Sequence, residues 1–405
     1  MRKASAPKVV VTGYGCVTAL GQDARSTWTP LIQGRTARAP ITAIPVDGCR
    51  VTEGAQAELP ELPGYSAKNL GRLSRADRLV IPAVHEALAM AGLLDEKGKS
   101  ILPKLESSIS TTACGMEKGE GFLKSVWQDK KPGRRGLLAH YQAQQQMGEL
   151  QRRFGFSGPA TIIANACAGG SNAIGHAYDL IRSGMANIIL TGGYDALCEL
   201  VYCGFDALLT LAPQACRPFD KGRNGLMLGE GAAFLVLESE AHALGRGVIA
   251  AGSIAGYGHT TDVGHLTQPD QQGLPIEKAM RQALDQAGLS PSKIGYVNAH
   301  GTGTPFNDGA EAKAINRVFS GTSARLSSTK AALGHTLGAA GAIEAVLGLL
   351  ALKTGSLPPQ INLLDPEEDA RDFLVAHGEK TNPDAVMSIN LGFGGSNAAL
   401  VLTRE

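Results

Sequence analysis

The chain has 405 residues, with 38 Lys plus Arg set against 37 Asp plus Glu. That length supports a large core, and the near-balance of charge gives no global field that points to nucleic acid or an anionic membrane. Seven cysteines (Cys16, Cys49, Cys114, Cys167, Cys198, Cys203 and Cys216) are odd in number and form no C-x-x-C pair, which argues against a disulfide framework or structural zinc and fits a reducing cytoplasm.

In chain order, the basic start "MRKASAPKVVVTGYG" carries an apolar run too short for a signal peptide. Residues 8 to 13 predict a buried strand that ends in glycine, and residues 75 to 92 a helix. "ATIIANA" (160 to 166) is strand-like, and "SNAIGHAYDLIRSG" predicts a helix closed by Gly184. "ANIILTGG" and "GAAFLVLE" read as strands. A second series follows: strand "VIAAGSIAGYG", helix "PIEKAMRQALDQAG", strand "IGYVNAHG", helix "DGAEAKAINRVF", short strand "ARLSST", helix "TLGAAGAIEAVLGLLAL", and a closing strand pair, "AVMSINLGFGG" and "SNAALVLT". The apolar helix candidate at 336 to 353 contains Glu344, so no membrane span is expected.

Alternating strands and helices predict an α/β fold with mostly parallel, buried sheets. The similar element order of the two halves predicts a duplication, with residues 1–243 and 244–405 as the two domains and a joint near 238 to 248. Residues 40 to 65 and 115 to 150 read as irregular or inserted. The 51 glycines cluster beside apolar runs, which marks tight turns and close backbone contacts.

Four short stretches carry chemistry. Cys167 follows a strand and opens a helix among small residues, where a helix start favours a thiolate. A buried structural cysteine fits that position about as well. "NAHGTGT" (298 to 304) places His300 just past a strand, where parallel α/β sheets bind ligands. "SSTKAALGHTLGAAGAIEA" (327 to 345) places Lys330 five positions before His335, at the head of an Ala/Gly-rich helix. "NLGFGGSN" (390 to 397) is a glycine-rich turn able to bring backbone N–H groups to a reacting carbonyl. Each stretch alone fits a solvated histidine, a surface lysine or an ordinary turn.

The ordered set resembles the β-ketoacyl-[acyl-carrier-protein] synthases, the Cys-His-His condensing enzymes of the thiolase superfamily. The resemblance runs from "VVVTGYGCVTALG" to "GFGGSNAALVL" and includes "CRPFDKGRNGLMLGEGAAFLVLE" (216 to 238). It implies a thiolase-like fold of duplicated βαβαβαββ halves in a five-layered αβαβα core. It also implies Cys167 as nucleophile, His300 and His335 as the active-site histidines, Lys330 as the nearby lysine and Glu344 as the carboxylate behind it. Thr302, Thr304 and Thr267 would bind the phosphopantetheine arm, and Phe393 would gate the site and lend its backbone N–H. His176 stays structural.

The implied reaction is a decarboxylative Claisen condensation on acyl carrier protein, with no metal and no redox cofactor. The implied assembly is a cytoplasmic homodimer, or a heterodimer with a ketosynthase-like paralogue, with "ANIILTGG" pairing across the two-fold axis. An acyl tunnel is expected along residues 111 to 118 and 196 to 209, and carrier docking at the basic stretches 66 to 78 or 130 to 135. Departures from the elongation pattern hint at secondary metabolism: a glutamine run at 144 to 146, Leu391 in place of a second phenylalanine, and no arginine after Phe205. A chain-length factor lacks the nucleophile. A thiolase needs a later cysteine, and none follows Cys216. A starter-type synthase uses His and Asn, and a purely structural protein forms no acyl adduct.

Overall fold

The computed structural model describes residues 6–128, 130, 133 and 135–405. Ten strands form one hydrogen-bonded sheet: β1 (Val9–Thr18), β2 (Glu106–Ser110), β3 (Ala160–Ile163), β4 (Ile188–Asp195), β5 (Gly231–Ser239), β6 (Gly252–Thr261), β7 (Ile294–Asn298), β8 (Arg325–Ser327), β9 (Ala385–Gly392) and β10 (Ser396–Thr403). Their order across the sheet is β8-β7-β9-β10-β6-β1-β5-β4-β2-β3.

That order contains a repeat. In the first half β2 runs parallel to β3 and β4, β4 antiparallel to β5, and β5 antiparallel to β1. In the second half β7 runs parallel to β8 and β9, β9 antiparallel to β10, and β10 antiparallel to β6. The same five-strand path occurs twice. The two copies join where Val9, Val10 and Val11 of β1 pair with Ile254, Ser253 and Gly252 of β6.

Five helices complete the layers: α1 (Arg75–Met90), α2 (Gly169–Arg182), α3 (Leu274–Ala287), α4 (Pro305–Phe319) and α5 (Ala340–Thr354). Helix α1 starts at a capping box, in which Ser74 and Asp77 satisfy each other's backbone N–H groups. It covers β1 and β5, while α3 covers β6 and β10. Helices α2 and α5 pack against each other and touch strands of both halves, so they form the middle layer. From Ala340 to Leu352 helix α5 is buried on every side and, apart from Glu344, carries only apolar residues and glycine, as a helix enclosed all round requires. Leu337–Thr354 passes the length and composition test for a membrane span, but 89% of it is buried inside the protein, which makes it a core helix. At the crossing of α2 and α5, a Cβ on Gly170 would meet Ala342 N at 2.7 Å and one on Gly341 would meet the Ser171 backbone N. Only glycine permits that approach, and it sets the first turns of the two helices side by side.

Three expectations need correction. The sheet is mixed rather than mostly parallel, because each half closes on antiparallel pairs. The described residues of 115 to 150 are largely helical rather than irregular: they hold helices Met116–Trp127, Gly136–Tyr141 and most of Ala143–Phe154. Their few buried side chains gave no clear apolar stripe. Strand β4 is interior, with both edges bonded to β2 and β5, so it has no edge free to pair across a two-fold axis. The end strands are β3 and β8.

Candidate active site

The nucleophile candidate sits at a strained corner. After β3 the chain reaches Ala166 with φ +57°, then turns through a short 3₁₀ segment, Ala166–Ala168, into α2. A left-handed alanine costs roughly 1–3 kcal/mol, and such strain is held where surrounding structure fixes a functional side chain. The second half repeats the corner: Leu337 has φ +53° and opens the 3₁₀ segment Leu337–Ala339 before α5. Two residues before Leu337 stands His335. The duplication thus delivers Cys167 from one half and His335 from the other to the same crossing of α2 and α5. His300 follows the end of β7, and Phe393 lies in the turn between β9 and β10.

These residues meet. Cys167, His300, His335, Thr267, Thr302, Thr304 and Phe393 all line one cavity of about 270 Å³. Lys330 and Glu344 lie behind it, both buried and joined by an ion pair of 2.5 Å. Asn390 donates to the other Glu344 oxygen at 2.6 Å, and Ser171 Oγ donates to Asn390 at 2.6 Å. Thr302 is buried, Thr304 half-buried and Thr267 exposed at the mouth, so the three threonines mark a path inward from the surface. The Thr302 and Thr304 hydroxyls are 2.9 Å apart.

The electrostatics separate the roles. Burial pushes the Cys167 thiol up to about 12, opposed by the Lys330 charge and by the backbone N–H groups of Phe393 and Cys167 that reach its sulfur. Burial therefore favours the thiol at rest and opposes the preference for thiolate expected at a helix start. Burial, with the Lys330 charge second, holds both His300 and His335 far below the ordinary imidazole range, so both stay neutral. Their rings stand edge to face with centroids 5.2 Å apart. The Leu337 N–H donates to His335 Nδ1 at 3.3 Å, which leaves the ring proton on Nε2. His300 Nδ1 is buried with no partner among the described residues.

Three carboxylates that the sequence reading passed over fix the loops. Glu311 accepts the N–H groups of His300 (2.6 Å) and Gly301 (2.7 Å). Asp308 accepts those of Gly303 (3.1 Å) and Phe219 (2.9 Å). Asp195, at the end of β4, ties Ala113 N (2.7 Å) to Gly338 N (2.6 Å) beside the His335 corner. A signal for the first two was present: Asp308 and Glu311 lie three apart on one buried face of α4.

Other expectations divide. Residues 196 to 209 give Phe205 and Leu208 to the cavity, whereas residues 111 to 118 give none and pack around Asp195 instead. Leu391 lines the cavity. Gln146, within the glutamine run, is buried and bonds Ser74 and the His140 carbonyl, a structural use. His176 bonds Ser108 Oγ at 3.2 Å, outside the cavity. In the basic stretch 66 to 78, Arg75 is committed to buried Glu230, while Lys68 and Arg72 remain exposed. Part of the stretch 130 to 135 (Lys131, Pro132 and Arg134) lies outside the described residues.

A thiol opposite two uncharged imidazole donors can exchange a thioester at sulfur and steady an enolate beside it. On this doubled five-strand fold, that combination defines a thioester-condensing enzyme. The comparisons are specific. Residues 6–243 match the beta-ketoacyl synthase N-terminal domain and residues 251–364 its C-terminal domain. The chain is 35% identical to nodulation protein E of Rhizobium meliloti (strain 1021), over 97% of this chain and 98% of that protein. It is 34% identical to 3-oxoacyl-[acyl-carrier-protein] synthase 2 of Staphylococcus aureus (strain COL), over 98% of each. Among solved structures, the ishigamide ketosynthase/chain length factor superposes with a TM-score of 0.89 at 30% identity, over 99% of this chain and 100% of that one. A type II polyketide ketosynthase in complex with its acyl-carrier protein, AntDE:AntF, superposes with a TM-score of 0.88 at 26% identity, over 99% and 100%. The chain belongs to the beta-ketoacyl synthase family. It is a condensing acyltransferase of fatty-acid or polyketide chain elongation.

Proposed function

We propose that Cys167 carries the growing acyl chain and that His300 and His335 serve the malonyl half of the reaction. The observation that carries this reading is the shared cavity: the thiol, both neutral imidazoles and the Phe393 N–H face one space. The thiol attacks the carbonyl of an acyl thioester, and the oxyanion forms against the N–H groups of Cys167 and Phe393. One such donor lowers the barrier by about 3 kcal/mol. The carrier thiol leaves, and the acyl group stays on Cys167. A malonyl thioester then enters, and the N–H groups of His300 and His335 hydrogen-bond its carbonyl oxygen. Carbon dioxide departs, the enolate collects on that oxygen, and its carbon attacks the acyl-Cys167 carbonyl. A 3-oxoacyl thioester leaves and Cys167 is freed. Neutral histidines suit this step, because a neutral donor steadies the enolate without protonating it outright.

In this proposal no metal and no redox cofactor takes part, and both substrates ride on the phosphopantetheine arm of an acyl carrier protein. Thr267, Thr302 and Thr304 hold the arm along the path from mouth to thiol, and Phe393 gates it. Lys330 keeps the pocket electropositive, and Glu344 holds Lys330 in place. Glu311, Asp308 and Asp195 act as positioning residues for the loops. Residues 1–243 and 244–405 are the two domains. The assembly is a homodimer. The alternative, a heterodimer with a ketosynthase-like paralogue, is supported by two neighbours, a ketosynthase/chain length factor and a ketosynthase in complex with its chain length factor. A chain-length-factor role for this chain itself is disfavoured by Cys167. The reaction is placed in the cytoplasm, where seven free thiols stay reduced.

The test separates the two half-reactions. His335→Ala should still take up an acyl group from acyl carrier protein but fail to discharge it onto malonyl carrier. Normal turnover by His335→Ala removes the histidine from the proposed step.

A further inference from the structure

Cys49 and Cys203 stand apart from the site just described. Their sulfurs are 3.5 Å apart, and both residues are partly exposed. Cys49 belongs to the irregular segment before Glu53, and Cys203 to the helix Glu199–Ala207. The two pieces are already docked on one another. Asp206 accepts the N–H of Arg50 at 2.8 Å and of Val51 at 3.3 Å, and the Tyr202 hydroxyl donates to the carbonyls of Val51 (3.1 Å) and Glu53 (3.0 Å). A disulfide needs an S–S distance of about 2.05 Å, so roughly 1.5 Å of closure remains. Both side chains are partly exposed, and the backbone segments that carry them are already held together by the bonds to Asp206 and Tyr202.

The helix that carries Cys203 also carries a wall of the cavity. Phe205, two residues on, lines it and stacks on Phe393, with ring centroids 5.9 Å apart and planes 19° from parallel. Phe393 in turn presents its N–H to Cys167. A covalent tie at Cys203 therefore acts on a helix against which Phe393 rests.

We propose that Cys49 and Cys203 form a reversible disulfide under peroxide, and that this bond pins the Phe205 helix and slows loading of Cys167. One thiol attacks a peroxide oxygen, the O–O bond breaks, water leaves and a sulfenic acid forms. The second thiol attacks the sulfenic sulfur, the S–O bond breaks, and a second water leaves with the disulfide made. The two sulfurs lose two electrons and hydrogen peroxide gains them. Dithiol reductants reverse the bond by exchange. The formation of the bond is independent of the catalytic reading, whereas its effect on loading rests on the proposed roles of Cys167 and Phe393.

The test uses the full chain treated with hydrogen peroxide. Non-reducing peptide mapping of the Cys167→Ser variant reports the bond without any turnover. A linked peptide pair containing Cys49 and Cys203 is expected, lost on reduction. Acylation rates are then compared in wild type and Cys49→Ser after oxidation, and again after reduction. Wild type should lose acylation several-fold relative to oxidised Cys49→Ser and regain that part with dithiothreitol. Both thiols remaining free while peroxide oxidises other cysteines overturns the bond. A linked pair with equal loss in wild type and Cys49→Ser overturns the switch. Absence of acylation in untreated wild type points to failure of the catalytic reading, and the peptide map then decides the disulfide alone.

Discussion

The protonation state of Cys167 offers a sharp quantitative test. Its thiol is pushed up to about 12 from an ordinary 9.0, chiefly by burial. Three pKa units correspond to about 4 kcal/mol against the free thiolate. At pH 7.5 the group would lie about 4.5 units below its midpoint, so roughly one thiol in 30,000 is ionised. Alkylation by iodoacetamide proceeds through the thiolate. Its rate at Cys167 should therefore climb about tenfold per pH unit from about pH 7 to about pH 9.5, with no plateau. The assay is peptide-resolved mass spectrometry, which separates Cys167 from the six other thiols. Lys330→Met removes a charge that lowers this pKa, so alkylation should slow further at every pH. A plateau below about pH 8 would show that the N–H groups and the helix start outweigh burial, and would refute the thiol resting state.

Other outcomes follow from the same geometry. Lys330→Met leaves Glu344 buried without its cation, which costs about 3–5 kcal/mol in urea unfolding. Lys330→Met with Glu344→Gln should recover part of that stability, and a double variant no better than the single would contradict the pairing. His300→Ala should cut condensation by about 10²–10³ while acylation persists in single-turnover assays. Burial pushes Glu311 up to about 8 from an ordinary 4.5. A carboxyl with a raised folded-state pKa contributes stability that is full below its unfolded pKa and is lost as pH rises through the folded one. Unfolding free energy should therefore fall from about pH 4.5 to about pH 8, more in wild type than in Glu311→Gln. Parallel slopes in the two would locate the titration elsewhere.

Much of the site was legible because its residues sit in short, unusual strings. His300 between a strand end and two glycines, and His335 ahead of an Ala/Gly helix, needed no tertiary information to be noticed. The duplication was visible as element order. What stayed hidden has physical causes. Strand β2 reads "ESSIS", and its buried serines erase the apolar signal that marked the other strands. Strands covered on both faces show continuous apolar runs whichever way they point, so the antiparallel pairs that close each half left no trace. The pairing of β4 on both sides is likewise a property of the assembled sheet. Asp195, Glu311 and Asp308 act by accepting backbone N–H groups from loops up to about 140 residues distant, a relation that sequence spacing does not display. The meeting of Cys49 with Cys203 is of the same kind.

The central claim is that Cys167 holds the acyl chain between the two half-reactions. Intact-mass measurement of the protein incubated with acyl carrier proteins of graded chain length addresses it directly. The account predicts one acyl adduct, mapped to Cys167, absent in Cys167→Ala, and discharged as a 3-oxoacyl carrier when malonyl carrier is added. No adduct with any chain length, or an adduct that persists in Cys167→Ala, would contradict it.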